Sequence, residues 1–497
     1  MSRAWNPSIY RTHDAQSPPP DASRVESLIR AVDICSTRLQ DEPYNPNIWL
    51  ERAGIFLALN YPELAASDAH KASLLADQPS PLSERTDSEP VGTKVQDILS
   101  QALYDCHCHW ELAEFWNGVA IKSPSEHVMA QTASINNLLA QKSSAAAPLG
   151  GTLQEKKDRL RDGGVITVNY PWLEERHFTR NGALIESVNE ELSPDSEQQT
   201  CYLAPSTLPS TGDVLGMFAK RDIQRGERIL LDRTATGACS NIEDTSCENC
   251  FRHVKGLYIQ ASCCKAMYCS IECRQLAFAN FHAILCDQDF SWLQEPAKGL
   301  IHNASPLRPL LMLRFLATCL QTGAHIHPLD HPSIARLQSL AGCSHVDVFT
   351  YTESITTPVR ILQQLGVDVF ANRNFDTMIL HTVWTRIANN KAGSSDPRHG
   401  FIDEISPHLP LFNHSCEPNI EWRREDGSTT IRFFARRGIR EDEELFSSYL
   451  DVGEMTLEER TEALWPWFEG PCLCSKCGRE KVALSNNNSY VGRFPSM

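Results

Sequence analysis

The residues with most to say are cysteines, and their spacing suits zinc. Between Cys247 and Cys286 they run Cys247-x2-Cys250, Cys263-Cys264, Cys269-x3-Cys273 and His282-x3-Cys286. A Cys-x2-Cys knuckle offers two thiolates from one tight turn. Cys-x3-Cys or His-x3-Cys offers two ligands from one helical turn, and zinc needs four at tetrahedral angles. The block holds enough ligands for two ions. It is too short to bury a core alone, so metal would supply its folding energy. Farther on, Cys472-x-Cys474-x2-Cys477 is a trio that needs a fourth ligand. A different chemistry is written in Leu411-Phe412-Asn413-His414-Ser415-Cys416-Glu417-Pro418-Asn419 and in Glu443-Glu444-Leu445-Phe446-Ser447-Ser448-Tyr449-Leu450-Asp451. A polar turn between strands explains Pro418 but not the Asn-His-Ser-Cys run.

These groups need elements to hold them. Residues 24–41, 45–58 and 62–76 show apolar residues at three- and four-residue steps and read as helices. Their Trp49, small Ala65, Ala66 and Ala69, and the Asn60-Tyr61-Pro62 turn resemble one tetratricopeptide repeat, with an ordinary helical hairpin as the equal alternative. A second helical pair is expected over Val95–Ala120. Within it Cys106-His107-Cys108-His109 looks metal-like, but consecutive helical residues point apart, so buried cysteine is the preferred reading. Residues 142–165, rich in Ser, Ala and Gly and then charged, read as linker. A β-rich domain is expected from Val165. Gly212 to Gly226 reads as strand, turn and strand, with Phe218 and Ile223 in the core and a strand at Arg228–Leu231. Arg308–Thr322 and Thr377–Asn390 read as helices.

Taken together the motifs resemble the SET and MYND domain family. The block at 247–286, with Tyr268-Cys269-Ser270, Cys273 and His282, is similar to a MYND finger. The stretch Gly212 to Glu227, the Asn413-His414 motif and the Tyr449 motif resemble a SET domain. The resemblance implies interleaved zinc sites, Cys247, Cys250, Cys269 and Cys273 in one, and the middle cysteines with His282 and Cys286 in the other. Family members space the middle pair Cys-x2-Cys, whereas Cys263 and Cys264 are adjacent. Either both bind, or one is free and His253, Cys239 or water completes the site. The resemblance also implies that Cys416 joins Cys472, Cys474 and Cys477, for up to three zinc ions in all. It implies S-adenosyl-L-methionine as cofactor, held by Gly216, Met217, Asn413 and His414, with Tyr449 beside the methyl-transfer channel. Where the family has Gly-x-Gly, Val214 stands in place of the first glycine. Phe468 follows Trp465-Pro466-Trp467. It could stack on adenine, line the lysine channel or be core, and stands where relatives often carry Tyr, which would widen the channel for more than one methyl group.

The implied fold is α+β, a β-rich SET core with an inserted zinc module, a helical insert and a helical N-terminal region. The expected segments are a disordered leader at 1–23, TPR-like helices at 24–120, linker at 121–164 and a SET N-terminal half at 165–246. The zinc finger at 247–286, helical insert at 287–395, SET C-terminal half at 396–451, post-SET zinc segment at 452–480 and tail at 481–497 follow. The implied activity is protein-lysine N-methylation of histone or non-histone proteins, the alternative being an inactive scaffold recruiting partners. The net charge of -16 over 497 residues disfavours nucleic acid and anionic membranes and suits basic partners. No apolar run is long enough to span a bilayer. The first residues lack the apolar stretch of a secretory signal, so an intracellular place, nucleus or cytoplasm, is expected, where the 18 cysteines point to metal rather than disulfides. Expected partners are a lysine-bearing protein substrate, proline-rich peptides at the MYND module and chaperone-like proteins at the helices.

Overall fold

The computed structural model describes residues 22–76, 91–145, 163–166, 169–178, 180, 182–192, 200–208, 214–243, 245–295, 307–323, 326–337, 346–425, 427–468 and 471–490. Most of the expected leader, the stretch 77–90, and Gly212 and Asp213 of the first SET-like motif lie outside them. The architecture is α+β, in two compact units, Met1–Glu174 with Val346–Thr385, and Glu175–His345 with Arg386–Met497. Among the described residues no helix is long and apolar enough to cross a membrane.

The first unit is built on helices α1 (Ala22–Asp41), α2 (Pro46–Ala58), α3 (Pro62–Ala76), α4 (Val91–Asp105), α5 (His109–Lys122) and α6 (Glu126–Ala145). Helix α2 starts where the Asn45 side chain accepts the Asn47 N–H at 3.1 Å and Pro46 takes the first turn. Asn60, at φ +63°, turns the chain into α3. Ala53, Ala65, Ala66 and Ala69 are fully buried, which lets these helices pack closely around Trp49, Phe56 and Leu64. Arg52 lies in the same interior, with its Nε on Asp68 at 2.7 Å and an Nη on Asp376 at 2.7 Å.

Four sequence readings are corrected here. The expected linker 121–164 holds helix α6. Its residues are mostly good helix formers (Met129, Ala130, Gln131, Leu138, Leu139, Ala140), and Ser125 caps its start by accepting from the Val128 N–H. Residues 146–162 of that linker lie outside the described residues. In the run Cys106–His109 both cysteines are buried as expected, but not on a continuous helix: α4 ends at Asp105, and His107 takes φ +59°. The strand at Val165 does not open the second unit. Gly163–Ile166 pairs antiparallel with Val346–Phe349 inside the first. Apolar alternation marks a strand but not its partner. Gly163 is required there, because a Cβ would stand 2.3 Å from the Cys106 carbonyl oxygen. The region 287–395 is accordingly not one helical insert, since 346–385 groups with the N-terminal helices.

The second unit is β-rich. A four-stranded sheet runs in the order Asn413–His414, Glu444–Ser447, Leu215–Ala219, Cys201–Pro205. Its first pair is parallel and the others antiparallel. Ile420–Arg424, Ile431–Ala435 and Arg228–Asp232 form a second sheet, and Gly237–Cys239, Gly400–Glu404 and Ala392–Asp396 a third. Leu203, Met217, Phe412, Ile431, Phe433 and Leu445 are buried in one core cluster between them. The turn before Arg228 uses Gly226 at φ +81°, a conformation glycine adopts freely. Helix Arg308–Thr322 lies where its spacing predicts.

Candidate active site and metal centres

The cysteine-rich block folds around its own ligands. A helix at Ile271–Asn280, capped by Ser270, presents Cys273 one turn after Cys269. The ligand atoms of Cys247, Cys250, Cys269 and Cys273 lie within 4.8 Å of one another, as do those of Cys263, Cys264, His282 and Cys286, and those of Cys416, Cys472, Cys474 and Cys477. The distances test the fit. Four sulfurs about 2.3 Å from a central zinc stand roughly 3.8 Å apart at tetrahedral corners. The sulfurs here are 3.6 Å apart for Cys250 and Cys269, 3.6 Å for Cys269 and Cys273, 3.7 Å for Cys263 and Cys286, and 3.5 Å for Cys416 and Cys477. Each cluster has the size and chemistry of a zinc cage.

Cys263 and Cys264 both reach the second cluster, at 3.2 and 3.7 Å from His282 Nε2. The alternatives are engaged elsewhere: Cys239 points at the Asn241 carbonyl oxygen and His253 at Thr245. The other His282 nitrogen, Nδ1, meets Glu248 at 2.8 Å and the Tyr268 hydroxyl at 3.0 Å. A carboxylate behind a ligating imidazole orients it and raises its basicity. The sequence reading missed Glu248, which precedes the first helix of the block with no spacing signal of its own.

A further group, His177, His327 and Asp330, also brings ligand-type atoms together. Its two rings stack at 4.5 Å and 10°. Parallel rings cannot aim their in-plane lone pairs at one ion. Asp330 is instead paired with His177 at 3.1 Å and Arg176 at 2.7 Å.

The parallel pairing of Asn413–His414 with Phe446–Ser447 brings the two distant motifs together. His414 Nδ1 accepts the Tyr449 N–H at 3.0 Å, and its Nε2 lies 3.2 Å from Cys416 Sγ. The tautomer follows: Nδ1 is the acceptor, so Nε2 carries the proton and donates to sulfur. Burial pushes the His414 pKa down to about 4, keeping the ring neutral. The Tyr449 ring lies 5.3 Å from His414, 6.1 Å from Phe468, stacked, and 5.9 Å from Trp467, edge-on. Burial raises the Tyr449 phenol to about 12, against the opposing pull of Arg180.

The Asn413 amide is turned inward. Its nitrogen donates toward Glu444 at 2.8 Å, the Leu215 carbonyl at 3.0 Å and Ser206 at 3.1 Å. Glu444 also accepts from the Thr207 N–H at 2.8 Å. Gly216 faces this pair: a Cβ there would sit 2.2 Å from the carboxylate. What Gly216 offers is room for Glu444, a role its sequence context did not reveal. Met217 is fully buried in the core between Leu203 and Leu445, so its side chain packs against strands. A groove of about 570 Å³ borders the crossing, lined among others by Thr207, Ser415, Asn419, Glu444, Phe446 and Cys474. The expected holders Gly216, Met217, Asn413, His414 and Phe468 are not among its lining residues.

Residues 214–450 match the SET domain family. The chain is 25% identical over 241 residues to N-lysine methyltransferase SMYD2 of Homo sapiens, covering 48% of this chain and 51% of that protein. It is 25% identical over 292 residues to the Gallus gallus SMYD2, 56% and 62% of the two chains. It is 24% identical over 305 residues to a SET and MYND domain-containing protein of Dictyostelium discoideum, 52% and 57% of the two. The chain is thus similar to SET and MYND domain-containing proteins over the region that carries both motifs. The SET match runs from the loop before Leu215 to the residue after Tyr449, and so encloses the zinc block and the motif crossing. The matched region spans about half the length of the curated SMYD2 relatives.

Proposed function

We propose that this chain is an S-adenosylmethionine-dependent protein-lysine N-methyltransferase. The observation that carries the reading is the convergence of His414, Tyr449 and Phe468 beside the Cys416 cluster. The donor set fits the cofactor: aromatic faces attract a sulfonium as they attract other cations. When bound, S-adenosylmethionine supplies an electrophilic methyl group on that sulfonium.

The chain's own residues supply placement and a dry environment. Tyr449 is held at its main chain by His414 and at its ring by Phe468 and Trp467. With its pKa near 12 the phenol keeps its proton at neutral pH. It is therefore a hydrogen-bonding orienter of the lysine amine, not a general base. The Cys416 cluster ties residues 472–477 against the Tyr449 motif and excludes water there. Phe468, in place of a tyrosine, removes one hydroxyl from the channel wall, so more than one methyl group per lysine is the expected product. The acidic chain favours basic acceptor proteins. The α1–α5 hairpins and the MYND-type module are assigned to recruiting protein partners.

The test is calorimetric titration of S-adenosylhomocysteine into zinc-loaded protein, with mass spectrometry of lysine-rich acceptors. Wild type should bind and transfer, and Tyr449→Phe should bind but transfer little. A well-folded wild type that binds no S-adenosylhomocysteine would make the chain a zinc-dependent scaffold.

A further inference from the structure

The three clusters differ in how far solvent reaches their sulfurs. Cys416, Cys472, Cys474 and Cys477 are all buried, and so are Cys247, Cys250 and Cys273, with Cys269 half-buried beside them. In the second cluster Cys264 and Cys286 are half-buried and Cys263 is exposed. Several sulfurs of the buried clusters are also covered by hydrogen-bond donors. The Asn249 amide lies 3.9 Å from Cys273 Sγ, and His414 Nε2 lies 3.2 Å from Cys416 Sγ. The Arg460 guanidinium lies 3.7 Å from Cys477 Sγ, and the Cys474 N–H 3.5 Å from Cys472 Sγ. Within the second cluster Cys264 Sγ accepts the Ala266 N–H at 3.4 Å. Cys263 Sγ has no such cover. Among the described residues its hydrogen-bonding neighbours are its own co-ligands, His282 Nε2 at 3.2 Å and Cys286 Sγ at 3.7 Å.

A zinc-bound cysteine is a thiolate, and thiolate sulfur within reach of solvent is what peroxides oxidise. We propose that Cys263 is an oxidation site for hydroperoxides, and that its oxidation opens the second zinc site alone. The Cys263 thiolate takes one peroxide oxygen as the O–O bond breaks, giving a sulfenic acid and hydroxide. A second thiolate attacks that sulfur, expels another hydroxide and closes a disulfide. Two thiolates lose two electrons between them, and one hydrogen peroxide is reduced to two hydroxides. The geometry selects Cys286 as the second thiolate. Its sulfur is 3.7 Å from that of Cys263, and it stands at the end of the helix His282–Leu285, on a separate element. Cys264 is a chain neighbour. Adjacent α-carbons stand about 3.8 Å apart, short of the roughly 4.4–6.8 Å that a relaxed disulfide spans. Cys264 is therefore left as a thiol. Zinc then keeps only Cys264 and His282, half of the ligands it needs, and leaves. His282 stays anchored through Glu248 and Tyr268, and the Cys247 cage holds the rest of the block. The inference depends on zinc filling the second cluster and not on the methyltransferase reading.

The experiment treats the full zinc-loaded chain with hydrogen peroxide beside a chromophoric chelator, stops it with an alkylating agent and maps the peptides by mass spectrometry without reduction. One zinc ion per chain should leave ahead of the others, in step with a Cys263–Cys286 crosslink lighter by two hydrogens, with Cys264 alkylated. Dithiothreitol and added zinc should restore the starting zinc content. Cys263→His keeps a zinc-ligating side chain at the position but removes its sulfur. Loaded to the wild-type zinc content, it should retain all its zinc through the same treatment. Where that variant does not fill the site, the wild-type peptide map decides. Each of five results overturns the proposal: a second cluster that takes up no zinc, no zinc loss under peroxide, first loss from the Cys247 or Cys416 cage, loss without a Cys263–Cys286 crosslink, or loss from loaded Cys263→His at the wild-type rate. S-adenosylhomocysteine titrated into the untreated protein tests the methyltransferase reading separately.

Discussion

The imidazole of His414 joins the main chain of Tyr449 to the sulfur of Cys416, accepting at Nδ1 over 3.0 Å and facing Sγ from Nε2 at 3.2 Å. One side chain thus connects the four-cysteine cluster to the tyrosine assigned to the acceptor amine. Replacing it should disturb both ends. His414→Ala is expected to weaken zinc at the Cys416 cluster by about 10- to 100-fold, as loss of an outer partner does elsewhere. Competition with a chromophoric chelator measures this. Unchanged zinc retention would show that the hydrogen bond to sulfur contributes nothing to the cluster.

Cys416 is the one ligand of its cluster that comes from outside the C-terminal segment. Cys416→Ser should lower bound zinc by one ion and leave the 247–286 block loaded. Hydrogen exchange should speed up over 471–478, whose cysteines lose their anchor. Arg460, buried 3.7 Å from Cys477 Sγ and paired with Glu480, would then face fewer thiolates. Elemental analysis finding the wild-type zinc content in this variant would remove Cys416 from the ligand set.

In the first unit Arg52 holds Asp68 and Asp376 together, with all three side chains almost wholly buried. Arg52→Met takes the shared guanidinium from both carboxylates, leaving Asp376 to Arg373 and Asp68 to the Thr377 hydroxyl, and should cost about 3–5 kcal/mol. Adding Asp68→Asn and Asp376→Asn should recover part of the loss, because the uncompensated charges go. Urea unfolding followed by tryptophan fluorescence would report it. A single variant as stable as wild type would mean the interior takes up water there.

His408 supplies a pH signature. Burial alone would lower its pKa, but Asp232 at 2.9 Å, with Glu191 beyond, raises it to about 9. A group raised on folding stabilises fully below its unfolded pKa, about 6.5, and the benefit fades as pH climbs to 9. His408→Gln should lower stability at pH 6 by at most about 3 kcal/mol and flatten the curve between pH 6.5 and 9. Thermal melts across that range would show it, and parallel curves for the two proteins would refute it.

Much of this was legible in the chain. Helices at 62–76, 308–322 and 377–390 announce themselves through apolar spacing and proline placement, which are local. The cysteine groups are legible because zinc restricts ligand type and spacing so tightly. The misses are non-local. Val165 reads as a strand, yet its partner at Val346–Phe349 lies far along the chain. Glu444 reads as one acid of a pair, and only the fold sets it against Gly216 and Asn413. Met217 sits in a motif that suggests contact with cofactor, and only the fold sets its side chain between Leu203 and Leu445.

The parallel pairing of Asn413–His414 with Phe446–Ser447 has a consequence for synthesis. Leu215–Ala219 emerges from the ribosome long before the strand Glu444–Ser447 that pairs with it, and Cys416 waits in turn for Cys472. The zinc block between Cys247 and Cys286 can close as soon as it is made, because all its ligands are local. The crossing of the Asn413–His414 and Tyr449 motifs must be assembled last, from parts held apart in the nascent chain. A ribosome stalled between Asp451 and Cys472 would carry a closed cysteine block at 247–286 beside a four-cysteine cluster still missing three of its members.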